Sequence, residues 1–230
     1  MNISFYSSLL YNGNTAEMFS KYYYYLLKFS GKFNLTSILD REECYKKHFL
    51  DSILAEKYIY YNSYCCDLGS GAGFPGIPLM IVRDDLRFVL LESSKKKCEF
   101  LNFLIQEFHL NANVINSRAE TVGRIPEQRE SFDFVVSRAV SSLPVVLEYS
   151  SPLVKVGGHV ISYKGKCSEE LVLSQYAMSE LHLSLLDKIE YSLCASSDYR
   201  TLLIFKKDFL LSPKYPRRDG APAHKPLLKR

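Results

Sequence analysis

The sequence predicts an α/β fold, a mostly parallel sheet covered by helices on both faces and preceded by a helical region. From residue 64 onward, short apolar runs alternate with helical spacings, and a glycine-rich turn follows the first run. Before residue 62 the apolar spacing is helical in two stretches, parted by a break at Gly31 to Asn34. The expected organisation is therefore a helical region over 1–62 packed on the core, a ligand-binding domain over 63–208 and a basic tail over 209–230.

Asn14 and Thr15 are candidate caps for a first helix running to Phe29, with Met18, Phe19, Tyr22 and Leu26 on its apolar side. The Tyr22 to Tyr25 run covers more than one face of that helix, which points to packing plus an amphipathic edge rather than to a base-stacking platform. Gly31 to Asn34 break the pattern, and a second helix is read from Lys46 to Ile59. Strands are read at Tyr64–Asp67, Arg87–Leu91, Ala112–Ile115, Phe132–Val136 and His159–Tyr163, with helices at Gly76–Val82, Lys95–Phe108 and Glu169–His182. The segments 183–193 and 200–208 close the sheet as a pair.

Composition narrows the class. The chain has 230 residues, 47% apolar and 23% charged, which suits one compact domain and excludes disordered and fibrous chains. The longest apolar runs fall short of the roughly 18 residues that cross a bilayer, so a cytosolic protein is expected. Six cysteines, Cys44, Cys65, Cys66, Cys98, Cys167 and Cys194, include no CxxC pair and read as buried, reduced thiols; no metal site is expected. The formal charge of +4 is uneven. Residues 206–230 carry eight Lys/Arg and two Asp, a net of +6, which leaves 21 Lys/Arg against 23 Asp/Glu before them. A basic tail on a near-neutral body is the charge pattern of an arm that lies on phosphates, and equally of a solvated tail.

Ligands in such sheets bind beyond the C-terminal ends of the strands. There stands Asp67-Leu-Gly69-Ser-Gly71-Ala-Gly73-Phe-Pro75-Gly76, and the second strand ends in Glu92, 25 residues after Asp67. Glycines admit tight turns and close approach of a ligand to the main chain. A carboxylate at the end of the second strand can accept both hydroxyls of a ribose. Gly71-x-Gly73-x-x-Gly76 also satisfies the dinucleotide pattern, which leaves an NAD oxidoreductase open. Against it, the match starts four residues after Asp67, and Pro75 and Pro78 crowd the helix start that would face a pyrophosphate. An acidic turn suits a cationic ligand without phosphate, and S-adenosylmethionine is one.

The segment DLGSGAGFPGIPL resembles motif I of the bacterial small-subunit rRNA guanine-N7 methyltransferases, the family also called glucose-inhibited division protein B. Asn34-Leu-Thr-Ser37 with His48-Phe-Leu-Asp-Ser52, Ser137-Arg138-Ala139, Tyr163-Lys164-Gly165 and the tail YPRRDGAPAHKPL are similar to its other signatures, so the likeness runs from about residue 28 to 228. The resemblance implies a Rossmann-like, seven-stranded S-adenosylmethionine-dependent methyltransferase that modifies a guanosine in the decoding-region loop of 16S rRNA, acting as a monomer on rRNA or the small ribosomal subunit. It implies cofactor contacts from Gly69, Phe74, Ala119, Glu120 and Arg138, which join Asp67, Gly71 and Glu92 of the turn and the second strand end in the expected cofactor site. Arg138 could pair with the methionine carboxylate or with RNA, and Lys164, Arg217 and Arg218 are the other expected RNA contacts. Because guanine N7 carries a lone pair and no proton, no general base is expected, and His48 is expected to order the N-terminal helices against the sheet. A second class stays open, a protein that binds RNA or ribosomal subunits without catalysis through the basic tail and the tyrosine-rich helix.

Overall fold

The computed structural model describes residue 10, residues 13–193 and residues 198–229. Seven strands form one sheet in the order β3-β2-β1-β4-β5-β7-β6. They are β1 (Tyr64–Leu68), β2 (Arg87–Glu92), β3 (Ala112–Asn116), β4 (Phe132–Arg138), β5 (Val154–Lys164), β6 (Leu183–Ser192) and β7 (Tyr199–Lys207). The first five are mutually parallel, and β7 runs antiparallel to both β5 and β6. The chain reverses direction in the sheet between β1 and β4, so the crevice expected to hold ligands opens beyond the C-terminal ends of those two strands.

Helices cover both faces. On one face lie α1 (Gly13–Phe33), α2 (Arg41–Cys44, a π-helical turn Tyr45–Leu50 and Asp51–Ile53), α3 (Gly76–Val82) and α4 (Lys95–Phe108). Their apolar sides join Phe88, Leu90, Phe134 and Ile161 in one core cluster. On the other face α5 (Ala119–Val122), α6 (Leu143–Ser150), α7 (Ser168–Leu173) and α8 (Gln175–Glu180) pack with the tail, which contains the single turn α9 (Ala221–His224). Val89, Val135, Leu147, Leu203, Phe205, Leu211 and Tyr215 belong to this second cluster.

Several elements differ from the sequence expectation. Helix α1 begins at Gly13, which puts Asn14 and Thr15 inside its first turn, and it runs through Gly31 to Phe33 before Asn34 adopts a left-handed φ of 49°. Phe29 packs at 5.7 Å from Phe33 and at 5.3 Å and 5.1 Å from Phe100 and Phe103, and this packing outweighs the roughly 1 kcal/mol that a helical glycine costs. Helix α2 starts five residues early because Asp40 caps it, its side chain accepting from the Glu43 amide at 2.9 Å. The helix expected over Glu169–His182 is two pieces, parted at Ser174, whose hydroxyl donates to the Glu170 carbonyl at 2.7 Å. Helix α6, an apolar segment without helical spacing, went unpredicted because it is buried on nearly every side.

The tyrosine run divides its work. Tyr22 is fully buried and donates to the Ala72 carbonyl at 2.6 Å, which ties α1 to the glycine turn. Tyr23 and Tyr25 donate to the Leu39 carbonyl and the Glu107 carboxylate, and only Tyr24 is largely exposed. Five of the six cysteines are buried free thiols, and Cys194 lies outside the described residues. Among the described residues there is no cluster of potential metal ligands and no helix long and apolar enough to cross a membrane.

Candidate active site

The glycine turn after β1 is held from within. The Gly69 and Ser70 amides donate to the Leu91 carbonyl at 2.8 and 3.1 Å, and the Gly73 and Phe74 amides to the Ser70 carbonyl at 2.7 and 3.0 Å. The Gly71 amide donates to Glu92 Oε2 at 2.9 Å and the Gly76 amide to Asp67 Oδ2 at 3.0 Å. Six amides of the turn are thus spent inside the protein, and no nest of free N–H groups is left to cradle a pyrophosphate. That removes the physical basis for the dinucleotide reading. Gly69 has a φ of +69°, and a Cβ there would stand 2.8 Å from Val140 Cγ2. A side chain at this position is both strained and obstructed.

Asp67 is wholly buried under the turn, and its Oδ1 has no hydrogen-bond partner. Burial pushes its carboxyl up to about 7. An orphaned buried carboxylate oxygen beneath an open turn is a site that a cationic ligand would satisfy. The residues present therefore fit S-adenosylmethionine, which carries an ammonium and a sulfonium.

Two clefts open on this end of the sheet. The first lies beyond β1, β2 and β3 and is lined by Gly69, Glu92, Ser117, Ala119, Glu120 and Tyr149, among others. It brings together Gly69, Glu92, Ala119 and Glu120 of the expected cofactor residues. Glu92 is held in place by the Gly71 amide and by the Ser94 amide, which donates to Oε1 at 2.7 Å, so its orientation is fixed before any ribose arrives. Glu120 is buried and accepts the Gly220 amide at 2.9 Å, so the tail braces this wall.

The second cleft, a chamber of about 360 Å³, lies beyond β4 and β5 under the helical cap. Lys47, His48, Asp51, Arg138, Tyr163, Lys164 and Arg200 line it. Arg138 donates through Nη1 to the Lys47 carbonyl at 2.9 Å and to Asp51 Oδ2 at 3.1 Å, its Nη2 lies 3.2 Å from His48 Nδ1, and its guanidinium sits 4.8 Å over the Phe74 ring. Tyr191, from the sheet edge, donates to Asp51 Oδ1 at 2.7 Å. His48 stacks on Phe74 at 4.5 Å and meets Thr36 Oγ1 at 2.8 Å. Burial first, and then the Arg138 charge, push its imidazole down to about 3, so it stays neutral and orders the cap as expected.

Several expected residues stand elsewhere. Phe74 lines neither cleft; it is buried among Tyr22, His48 and Arg138. Arg138 lines the chamber rather than the first cleft, where the expectation had placed it among the cofactor residues. Lys164 donates to the Ser141 carbonyl at 2.9 Å and to Glu170 at 3.1 Å. Arg217 forks onto the fully buried Glu148, with contacts of 2.8 and 2.6 Å, and so anchors the tail; Arg218 is exposed. Asp51, Tyr149, Tyr191 and Arg200 were not singled out in the sequence. Asp51 and Tyr163 stood inside quoted signature stretches, whereas Tyr191 and Arg200 carry no local signal.

A sheet of this order, with an acid beneath a glycine turn whose amides are bound within the protein and a carboxylate at the end of β2, defines a Rossmann-like S-adenosylmethionine-dependent methyltransferase. Solved structures share the fold: a SAM-dependent methyltransferase from Aquifex aeolicus superposes with a TM-score of 0.55 at 16% identity, over 74% of this chain and 95% of that one. M. jannaschii TYW2 in complex with AdoMet gives 0.54 at 14% identity, over 74% and 79%. The family model for GidB, rRNA small subunit methyltransferase G, matches residues 15–193. Proteins named ribosomal RNA small subunit methyltransferase G are 45% identical in Caldanaerobacter subterraneus subsp. tengcongensis, over 92% of this chain and 90% of that protein, and 41% identical in Carboxydothermus hydrogenoformans, over 92% and 91%. The chain belongs to the GidB family of rRNA small subunit methyltransferases.

Proposed function

We infer that this chain transfers a methyl group from S-adenosylmethionine to N7 of a guanosine in the decoding-region loop of 16S rRNA. The observation that carries the reading is the glycine turn with all six of those amides satisfied internally over an unpartnered buried carboxylate, in a chain of this family. When bound, S-adenosylmethionine supplies an electrophilic methyl group on a sulfonium.

The first cleft holds the nucleoside end. Glu92, fixed by two backbone amides, accepts ribose hydroxyls, and Ala119 leaves room for a flat base beside it. Asp67, buried beneath the glycine turn with an unpartnered Oδ1, would be satisfied by the positive charge of the cofactor. The chamber takes the target guanine. N7 has no proton to lose, so catalysis is positioning, and His48, pushed down to about 3, is too weak a base for the reaction to call on. The ring becomes cationic as it accepts the methyl group, which a bare cluster of cations would oppose. Every cation of the chamber has a carboxylate: Arg138 has Asp51 at 3.1 Å, Lys164 has Glu170 at 3.1 Å, Lys47 has Glu43 at 2.7 Å and Arg200 has Asp198 at 3.9 Å. The chamber therefore offers hydrogen-bond donors to the base without a net field against the product.

The test is transfer of radiolabelled methyl to small ribosomal subunits from cells that lack the protein, followed by chemical cleavage at 7-methylguanosine. One labelled guanosine in the decoding-region loop is the expected result. Cofactor binding without label on that base would overturn the substrate assignment.

A further inference from the structure

Tyr149 reaches the cofactor cleft from α6, whereas Glu92, Ala119 and Glu120 stand at or just beyond the ends of β2 and β3. Every other residue of α6 is buried, and Tyr149 is half-buried with the cleft beside it. The tail holds it from two directions. Arg217 forks onto Glu148, the residue before Tyr149, at 2.8 and 2.6 Å, and the Gly220 amide donates to Glu120 Oε1 at 2.9 Å. The turn α9 packs against α6. Residues 217–220 thus fix both the neighbour of Tyr149 in its helix and the carboxylate that its hydroxyl faces.

Glu120 lines the same cleft, so the hydroxyl end of Tyr149 lies at the cleft wall. Burial first, and then the Glu120 charge and hydrogen bond, push the phenol up to about 12, and the proton stays on the oxygen at any working pH. An ionised carboxylate accepts and does not donate. The proton therefore turns toward Glu120, and the phenol oxygen keeps lone pairs for another partner. An oxygen held in this way accepts a hydrogen bond and offers none. The 6-amine of adenine is a donor that such an oxygen receives, whereas the 6-oxo group of hypoxanthine is an acceptor that it repels.

We propose that Tyr149 is a specificity-determining residue for the cofactor: its oxygen accepts the 6-amine of the adenine while Glu120 holds the hydroxyl proton away from the base. The proposal rests on the reading above that puts the nucleoside end in this cleft.

The test is calorimetric titration of the full chain with S-adenosylhomocysteine and with its 6-oxo analogue, S-inosylhomocysteine. The wild type is expected to bind the amino form about a hundredfold more tightly. Tyr149→Phe removes only the oxygen and cuts that preference about tenfold, chiefly by weakening the amino form. Glu120→Gln reverses the polarity: its single amide oxygen goes to the Gly220 amide, its NH2 group donates to the phenol oxygen, and the released proton favours the oxo form. Added to Tyr149→Phe, Glu120→Gln leaves the preference where the first change put it, because Glu120 acts through Tyr149. Circular dichroism checks the fold of each variant, and Tyr149→Phe decides alone should Glu120→Gln not fold. Equal weakening of both ligands by Tyr149→Phe would leave the tyrosine a packing residue, and an unchanged preference would put the amine elsewhere; either result overturns the proposal. Failure of the wild type to bind S-adenosylhomocysteine would instead overturn the reading on which it rests, and that is seen before any variant is made.

Discussion

The cofactor cleft and the chamber share one end of the sheet, yet they are built by opposite means. The cleft is a backbone structure: its turn is closed by amide hydrogen bonds between residues 67 and 92, neighbours through β1–β2 pairing. The chamber is a side-chain structure assembled across the whole chain, with Arg138 from β4, Asp51 from the helical cap 87 residues earlier and Tyr191 from the sheet edge 140 residues after Asp51. A backbone cradle is sensitive to side chains that intrude, and a side-chain network to partners that go missing.

The sharpest way to break the cleft is to fill it. Gly69→Val puts a branched side chain at a positive φ against Val140, and cofactor affinity is expected to fall by a hundredfold or more, about 3 kcal/mol. Calorimetric titration measures it, with circular dichroism confirming the fold. The chamber breaks by subtraction. Asp51→Ala leaves the Arg138 charge and the Tyr191 hydroxyl without their buried acceptor, and stability in urea is expected to drop by about 3 kcal/mol.

A pH series sharpens the contrast. The Asp67 carboxyl sits near 7 in the free protein, and a cationic ligand favours its ionised form. Cofactor affinity should therefore rise about tenfold from pH 6 to pH 8 and level off above, and Asp67→Asn should flatten the profile. The stability of the free protein runs the other way. Between the ordinary value of 3.8 and about 7 the folded state holds the extra proton, so the contribution of Asp67 to stability falls as pH rises through that window. The smallest effect is expected at Tyr24, the exposed member of the tyrosine run, where Tyr24→Ala should change stability by less than about 0.5 kcal/mol in the same urea titration.

The same division explains what could be read from the sequence. The turn, Glu92, and the strands and helices from Tyr64 to Phe108 stand out because their signals are local: glycine spacing, strand-end acids and apolar periodicity. The chamber is poorly legible because its contacts join residues far apart, and the left-handed Asn34 and the Asp40 cap that set the helical cap carry weak signals. Phe74 shows the limit. Its place in the glycine motif points to the cofactor, whereas its ring serves as a floor for His48 and Arg138. The tail misleads in the same way, since charge counting does not see that Arg217 is matched by Glu148, buried 69 residues away.

The most direct test of the division between the two clefts is Arg138→Lys, which keeps the charge and removes the fork, with cofactor Kd and single-turnover methyl transfer measured on one preparation. With the guanidinium serving the chamber, Kd stays within about threefold while transfer slows about a hundredfold, the cost of a misplaced target. A Kd that weakens in step with transfer would contradict the account, because it would place Arg138 on the carboxylate of the cofactor and merge the two clefts into one site.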